Sequence, residues 1–243
     1  MLPLNQDQAK ATITATVTTC PSEGSSPPAG VEVTFEVKAP AAGSAEAGGH
    51  AHDTRPLHAF GSFTQAKGPK TATCTVTTFD AEGMGSCTVP YHASEISGVE
   101  TIVAQAPGFT EAKATVRVAV PGLTPMPESA LGAWRLTGAT GSHPGNHYGT
   151  PETTTRIAAI ATDYFEATGI AIGINDMSLE RGGLFDIGPP YGPFWSTPHK
   201  RHRTGRSVDV DHLGVKEKRL NAIAVEQYGC KRFEVDRIHY ECP

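Results

Sequence analysis

Val31-Glu32-Val33-Thr34-Phe35-Glu36-Val37 alternates apolar and polar residues without a break. That is the pattern of a strand that buries one face and wets the other. Working outward, Ala11-Thr-Ile-Thr-Ala-Thr-Val17, Thr71-Ala-Thr-Cys-Thr-Val76, Thr101-Ile-Val-Ala104 and Ala112-Lys-Ala-Thr-Val-Arg-Val-Ala-Val120 read the same way. Clusters of Gly, Pro and Ser separate them, and no segment up to residue 120 has a good helical period. The expectation is an antiparallel all-β sandwich over residues 1–120.

A chain of 243 residues is comfortable for two domains, and 26 Gly, 19 Pro and 7% aromatic residues favour short strands with many turns. A net charge of −5 supplies no general attraction to nucleic acid or to an anionic membrane. No stretch is apolar enough to span a bilayer, and Met1–Lys10 lacks the basic start and apolar run of a signal peptide. Export to the periplasm, cell surface or medium is expected, with the signal absent from this chain. Five cysteines (Cys20, Cys74, Cys87, Cys230, Cys242) cannot all pair within one chain. Cys74 and Cys87 flank the turn Asp80-Ala-Glu-Gly83, where two hairpin strands bring them either into a disulfide or into an unbridged buried pair. Pro28-Ala-Gly-Val-Glu-Val-Thr-Phe35, the Asp80–Gly83 turn and a closing strand together resemble the bacterial immunoglobulin-like repeats of cell-envelope proteins. The resemblance implies an immunoglobulin-like sandwich and says little about chemistry.

Pro121-Gly-Leu-Thr-Pro-Met-Pro127 breaks the strand pattern, because three prolines in seven residues continue neither a central strand nor a helix. Residues 121–130 are therefore read as a linker and 131–243 as a second domain. Its first helix begins at Thr150-Pro151-Glu152, carries Ile157, Ile160, Ala161, Tyr164 and Phe165 on one face, and stops at Gly169. A second runs from about Val215 to Tyr228, with Gly229 as its stop. Strands at Ile170–Asn175, Ser207–His212 and Phe233–Tyr240 complete an α+β pattern.

Histidines concentrate in this half: His143, His147, His199, His202, His212 and His239, beside Asp209, Asp211 and Asp236. Taken singly each is more often a surface or hydrogen-bonded residue than a ligand. In His202-Arg-Thr-Gly-Arg-Ser-Val-Asp209, however, a glycine turn can fold His202 over the strand face that carries Asp209 and Asp211. His239, with Val235 and Arg237 on its face of the last strand, can complete a three-ligand set. Three protein ligands with a fourth position open is the arrangement of a catalytic zinc. A second cluster, Gly48-Gly-His50-Ala-His52-Asp53 with His58, falls in the sandwich half and reads as exposed loop histidines, with a stray metal site as the alternative.

Asn175-Asp-Met-Ser-Leu-Glu-Arg-Gly-Gly-Leu-Phe-Asp-Ile187, then Trp195, Pro198-His199 and His202-x6-Asp209, resembles the penicillin-insensitive murein endopeptidases. These share a zinc-binding fold with lysostaphin, the D-alanyl-D-alanine metallopeptidases and the hedgehog signalling domain. Over roughly Gly141 to Tyr240 the resemblance implies a Zn2+ held by His202, Asp209 and His239, and hydrolysis of peptide bonds in peptidoglycan, of endopeptidase or D,D-carboxypeptidase type. It implies a departure too. Murein endopeptidases and lysostaphin carry His-x-His at the last strand, where Arg237 stands here, whereas relatives of the D-alanyl-D-alanine type use a carboxylate three residues before the last ligand, where Asp236 stands.

Asp236 or Glu234 is then the expected proton acceptor, and Arg237, always cationic, can only steady an oxyanion or a substrate carboxylate. His199 can assist as a donor or acid. Trp195, Tyr240 and Arg206 are the expected substrate contacts. Trp195, Phe194 and Tyr191 either line a cleft or pack across their loop. The basic run His199–Arg206 is either solvated or set against an anionic wall polymer. The alternative function is a non-catalytic, zinc-containing protein that binds the cell wall or adheres to a surface ligand.

Overall fold

The computed structural model describes residues 1, 3, 9–19, 30–54, 60–190, 192–196, 199–233 and 238–242. The chain is rich in β-structure, in several sheets. It divides into two compact units, Met1–Pro40 with Arg55–Val118, and Ala41–Thr54 with Ala119–Pro243.

The first unit holds β1 (Lys10–Thr18), β2 (Val31–Lys38), β3 (Ser62–Phe63), β4 (Thr71–Val76), β5 (Met84–His92), β6 (Gly98–Gln105) and β7 (Ala112–Val118). They form sheets ordered β1-β5-β3 and β4-β2-β6-β7, with every neighbouring pair antiparallel. On β2 the alternation of the sequence becomes strict alternation of burial. Val31, Val33, Phe35 and Val37 join Val89 and Tyr91 of β5 and Ile102 of β6 in one core. The Asp80–Gly83 turn forms, with Asp80 Oδ1 accepting the backbone N–H groups of Glu82 and Met84. The strands beside it do not make a hairpin. β4 pairs with β2 and β5 with β1, so the Cys74–Cys87 disulfide ties one sheet to the other, with the two Cα atoms 5.8 Å apart. Buried Glu100 gathers the N–H of Gly61 at 2.9 Å and the Tyr91 hydroxyl at 2.5 Å. Burial raises its pKa despite these bonds.

The second unit holds β8 (Thr124–Pro125), β9 (Trp134–Leu136), β10 (Tyr148–Gly149), β11 (Ile172–Ile174), β12 (Ser207–Val210), β13 (Lys231–Arg232) and β14 (Ile238–Glu241). Its sheet runs β13-β14-β12-β11-β9, with only β9 and β11 parallel, and β8 pairs with β10. Helix α1 (Pro151–Thr168) has the expected ends: Thr150 Oγ1 accepts the Thr153 N–H, and Gly169 closes it in the left-handed region. Its Ile157, Ile160, Ala161 and Tyr164 pack with Ile172, Ile174, Val208, Val210, Ile238 and Tyr240. Helix α2 (Glu217–Asn221) passes into a π-helical stretch, Ala222–Gln227, which adds Ile223 and Ala224 to the same core. A second disulfide, Cys230–Cys242, closes the segment that contains β13 and β14. Cys20 lies outside the described residues.

Two expected boundaries differ. The proline-rich stretch read as a linker supplies β8, and Met126 is buried in the second core while its N–H donates to His147 O at 2.7 Å. Proline is tolerated there because β8 is a two-residue edge strand. Residues 41–54, read with the sandwich, belong to the second unit, where Ala51 N donates to Ser142 O at 2.8 Å.

Candidate metal centres

Alternation along β12 and β14 sends Val208, Val210, Ile238 and Tyr240 into the core, which turns Asp209 and His239 to the other face of the sheet. The two residues are directly opposite in register. His239 Nδ1 lies 2.6 Å from Asp209 Oδ1, and since an ionised carboxylate only accepts, the imidazole N–H donates. His202 opens a single 3-10 turn, His202–Thr204, closed by Gly205 at φ 73°. A Cβ on Gly205 would stand 2.4 Å from Leu123 Cδ2 and 3.2 Å from the Gly149 Cα, so glycine is what lets this turn pack against Leu123 and β10.

The turn delivers His202 Nε2 to 3.5 Å from Asp209 Oδ2, and His199, in the left-handed region at φ 53°, brings Nδ1 to 3.8 Å from the same oxygen. His199, His202 and Asp209 each offer one donor atom, and these three atoms lie within 4.8 Å of one another. The ring of His239 stands edge-on to His202 at 4.9 Å. His202 is fully buried, and among the described residues neither of its ring nitrogens has a hydrogen-bond partner, nor does His239 Nε2. Burial works to raise the Asp209 carboxyl. The neighbouring imidazoles of His202 and His239 outweigh it and hold the group well below the usual carboxylate range.

A second set lies on the other side of Phe185, whose ring is 5.2 Å from His199 and 5.4 Å from His143. His50 Nδ1, His52 Nε2, His143 Nε2 and Asp186 Oδ1 face one another, and all four residues are buried. Asp186 Oδ2 accepts the Trp195 backbone N–H at 2.6 Å. Burial again works to raise the carboxyl, and the bonds from His143, His52 and Trp195 with the field of His50 win, leaving it far below its ordinary value.

Of the expected ligands, His202 and Asp209 meet with His199 in one group able to hold a metal ion, and His239 adjoins that group through its 2.6 Å contact with Asp209. Asp236, Glu234 and Arg237 lie outside the described residues, as do His58, Tyr191 and Pro198. Tyr240 is a core residue, 2% exposed, because it falls on the opposite face of β14 from His239. Burial pushes its phenol up to about 12. Arg206 is exposed beside the turn. Trp195 packs against the rings of His50 and His52 at 4.6 and 4.5 Å, which settles it as a wall of the second set. Asp53 is exposed and takes no part, while His50 and His52, expected on an open loop, are buried. Asp211 accepts from Asn175 Nδ2 and Thr137 Oγ1, and so braces β11 against β12.

His143 and Asp186 went unread as ligands. The only local signal was the His-x-His pair at 50 and 52, and its nearest partner, His143, lies 93 residues away from His50. Asp176 also went unread: its backbone carbonyl accepts from Asp209 N at 2.8 Å, Asn146 holds its side chain at 2.6 Å, and burial raises its pKa.

Among the described residues, two groups of largely buried histidine and aspartate could hold metal ions. No protein-family model matches the chain and no curated protein matches it, so its chemistry is read from these side chains.

Proposed function

We propose that this protein is a zinc-dependent peptidase of peptidoglycan, in which His202, Asp209 and His239 hold the ion and the first unit is an immunoglobulin-like module that brings the enzyme to the cell wall. The observation that carries the reading is the convergence of these three residues, from one turn and two adjacent strands, around a fully buried imidazole with no hydrogen-bond partner among the described residues. A buried polar group left in that state calls for a ligand. Two imidazoles and one carboxylate suit zinc, and three protein donors leave its fourth position open. The substrate class rests on the likeness of Asn175–Ile187, Pro198-His199 and His202-x6-Asp209 to the murein endopeptidases.

Zinc held there would supply Lewis acidity, polarising a scissile carbonyl and lowering the pKa of water toward about 7. The protein's own groups divide the rest. Asp209, held ionised by its neighbours, would be available as a ligand across the physiological range. Asp236, or failing that Glu234, takes the proton from the attacking water. His199, beside Asp209 Oδ2, hands a proton to the leaving amine. Arg237 steadies negative charge on the substrate. Two disulfides are consistent with an exported protein, and among the described residues no helix is long and apolar enough to cross a membrane.

The test is digestion of purified sacculi by the full chain. Soluble muropeptides should appear, cease on chelation and return with added zinc. Arg237 at the place of a family histidine favours a second reading, a zinc-containing wall-binding protein. Tight zinc with sacculus binding and no release of muropeptides would decide for it.

A further inference from the structure

Six distances separate the four donor atoms of the second set. His50 Nδ1 is 3.3 Å from His52 Nε2 and 3.2 Å from His143 Nε2, and those two are 3.3 Å apart. Asp186 Oδ1 is 3.4 Å from His50 Nδ1, 3.4 Å from His52 Nε2 and 3.1 Å from His143 Nε2. Six near-equal edges define a tetrahedron. Its centre lies about 2.0 Å from every corner, the bond length of zinc to imidazole nitrogen and to carboxylate oxygen.

Hydrogen bonding explains only part of the arrangement. If all three imidazoles aimed an N–H at Asp186 Oδ1, the three donors would stand 3.2 to 3.3 Å apart, hydrogen against hydrogen, in a buried space. If some turned a bare nitrogen inward instead, the triangle would still hold too few protons in the right directions to join every pair. A cation at the centre satisfies all four at once.

The surroundings are those of a metal site. Asp186 is fixed as a one-oxygen ligand, because its other oxygen is taken by the Trp195 N–H. Phe194 stacks on His52 at 4.1 Å, and Trp195 and Phe185 complete an aromatic wall. Three nitrogens and one oxygen in tetrahedral array match Zn2+, whereas Cu2+ favours tetragonal sites and Mg2+ or Ca2+ favour all-oxygen ones.

Residues 41–54 supply two of the donors, and the segment is also tied by Ala51 N to Ser142 O at 2.8 Å and by Arg181 Nη1 to Glu46 O at 3.2 Å. Eight of these fourteen residues are Ala or Gly, and of the segment's apolar side chains only Ala47 is buried in a core. Apolar burial at about 25 cal/mol per Å² cannot offset the ordering entropy of such a segment. From this geometry we infer that His50, His52, His143 and Asp186 form a closed, structural zinc site that fastens residues 41–54 into the second unit, distinct from the open set across Phe185.

The experiment uses the full chain carrying His202→Ala, which removes a ligand of the open set. It should keep one equivalent of zinc through desalting, and cobalt in its place should give the intense visible absorption of a tetrahedral ion. Chelation should then speed amide exchange across residues 41–54 by about 100-fold or more while the core strands of the first unit keep their protection. Asp186→Asn in the same background should lose the metal. As a check that needs no substitution, the unaltered chain should bind two equivalents. A folded His202→Ala chain without zinc overturns the inference, as does a six-coordinate cobalt spectrum. So does metal removal that leaves exchange of residues 41–54 unchanged.

Discussion

On one side of Phe185 four donors stand at separations of 3.1 to 3.4 Å; on the other, Asp209 meets His239 at 2.6 Å, His202 at 3.5 Å and His199 at 3.8 Å. The even spacing comes from four side chains pointing at one centre from three separate segments. The uneven spacing comes from two paired strands and one turn, with the carboxylate shared among three imidazoles. A closed set has nowhere to take a substrate, so it serves stability. An open set keeps a position for chemistry. The contrast is the basis on which the two proposed roles differ.

Changes at the open set should bring the largest effects. His202→Ala should cost about a thousandfold or more in muropeptide release, the scale of losing several kcal/mol of Lewis-acid stabilisation, with one of two zinc equivalents gone. Loss of both equivalents would join the two sets into one and break the comparison. Next, Asp236→Asn should lower turnover by about a hundredfold, the usual scale for a general base, with zinc retained. If Glu234→Gln is inactive and Asp236→Asn is not, the role moves to Glu234.

His199→Ala sharpens the description of the open set. With His239 as the third ligand, this change should lower turnover by about tenfold and leave the metal content alone. Loss of one equivalent, with His239→Ala retaining it, would make His199 the ligand instead. The smallest effect belongs to His212→Ala. His212 is exposed just beyond β12, so zinc content and turnover should match the parent and stability should shift by no more than about 0.5 kcal/mol. A loss equal to that of His202→Ala would mean that the strand is misassigned.

Much of this was legible where physics is local. The strict alternation of Val31–Val37 is the burial pattern of β2, and Thr150-Pro151 with Gly169 frames α1. His202 and Asp209 lie seven residues apart across one turn, so one short segment announces both. β5 was harder to read, because Gly85 and Pro90 interrupt its pattern although it is the central strand of its sheet. The cysteine pair at 74 and 87 was legible as a pair but not as a link between sheets, since the turn between them looks the same in a hairpin and in a crossover. The closed set was only half legible: His50 and His52 stood as an alternative metal site, while His143 and Asp186 join them only when segments far apart in the chain are brought together. Composition placed the break at the prolines, and so hid the membership of residues 41–54.

That membership has a consequence for how such a chain is inherited. Residues 41–54 are encoded within the stretch that builds the first unit, yet they complete the second. A recombination event near position 120, where composition alone suggests a seam, would transfer a second unit with His143 and Asp186 but without His50 and His52. A second half cut there lacks part of its own unit. Gene shuffling can pass this protein on whole, or graft new segments onto its outer ends, but it cannot trade one unit for another without leaving half a binding site behind.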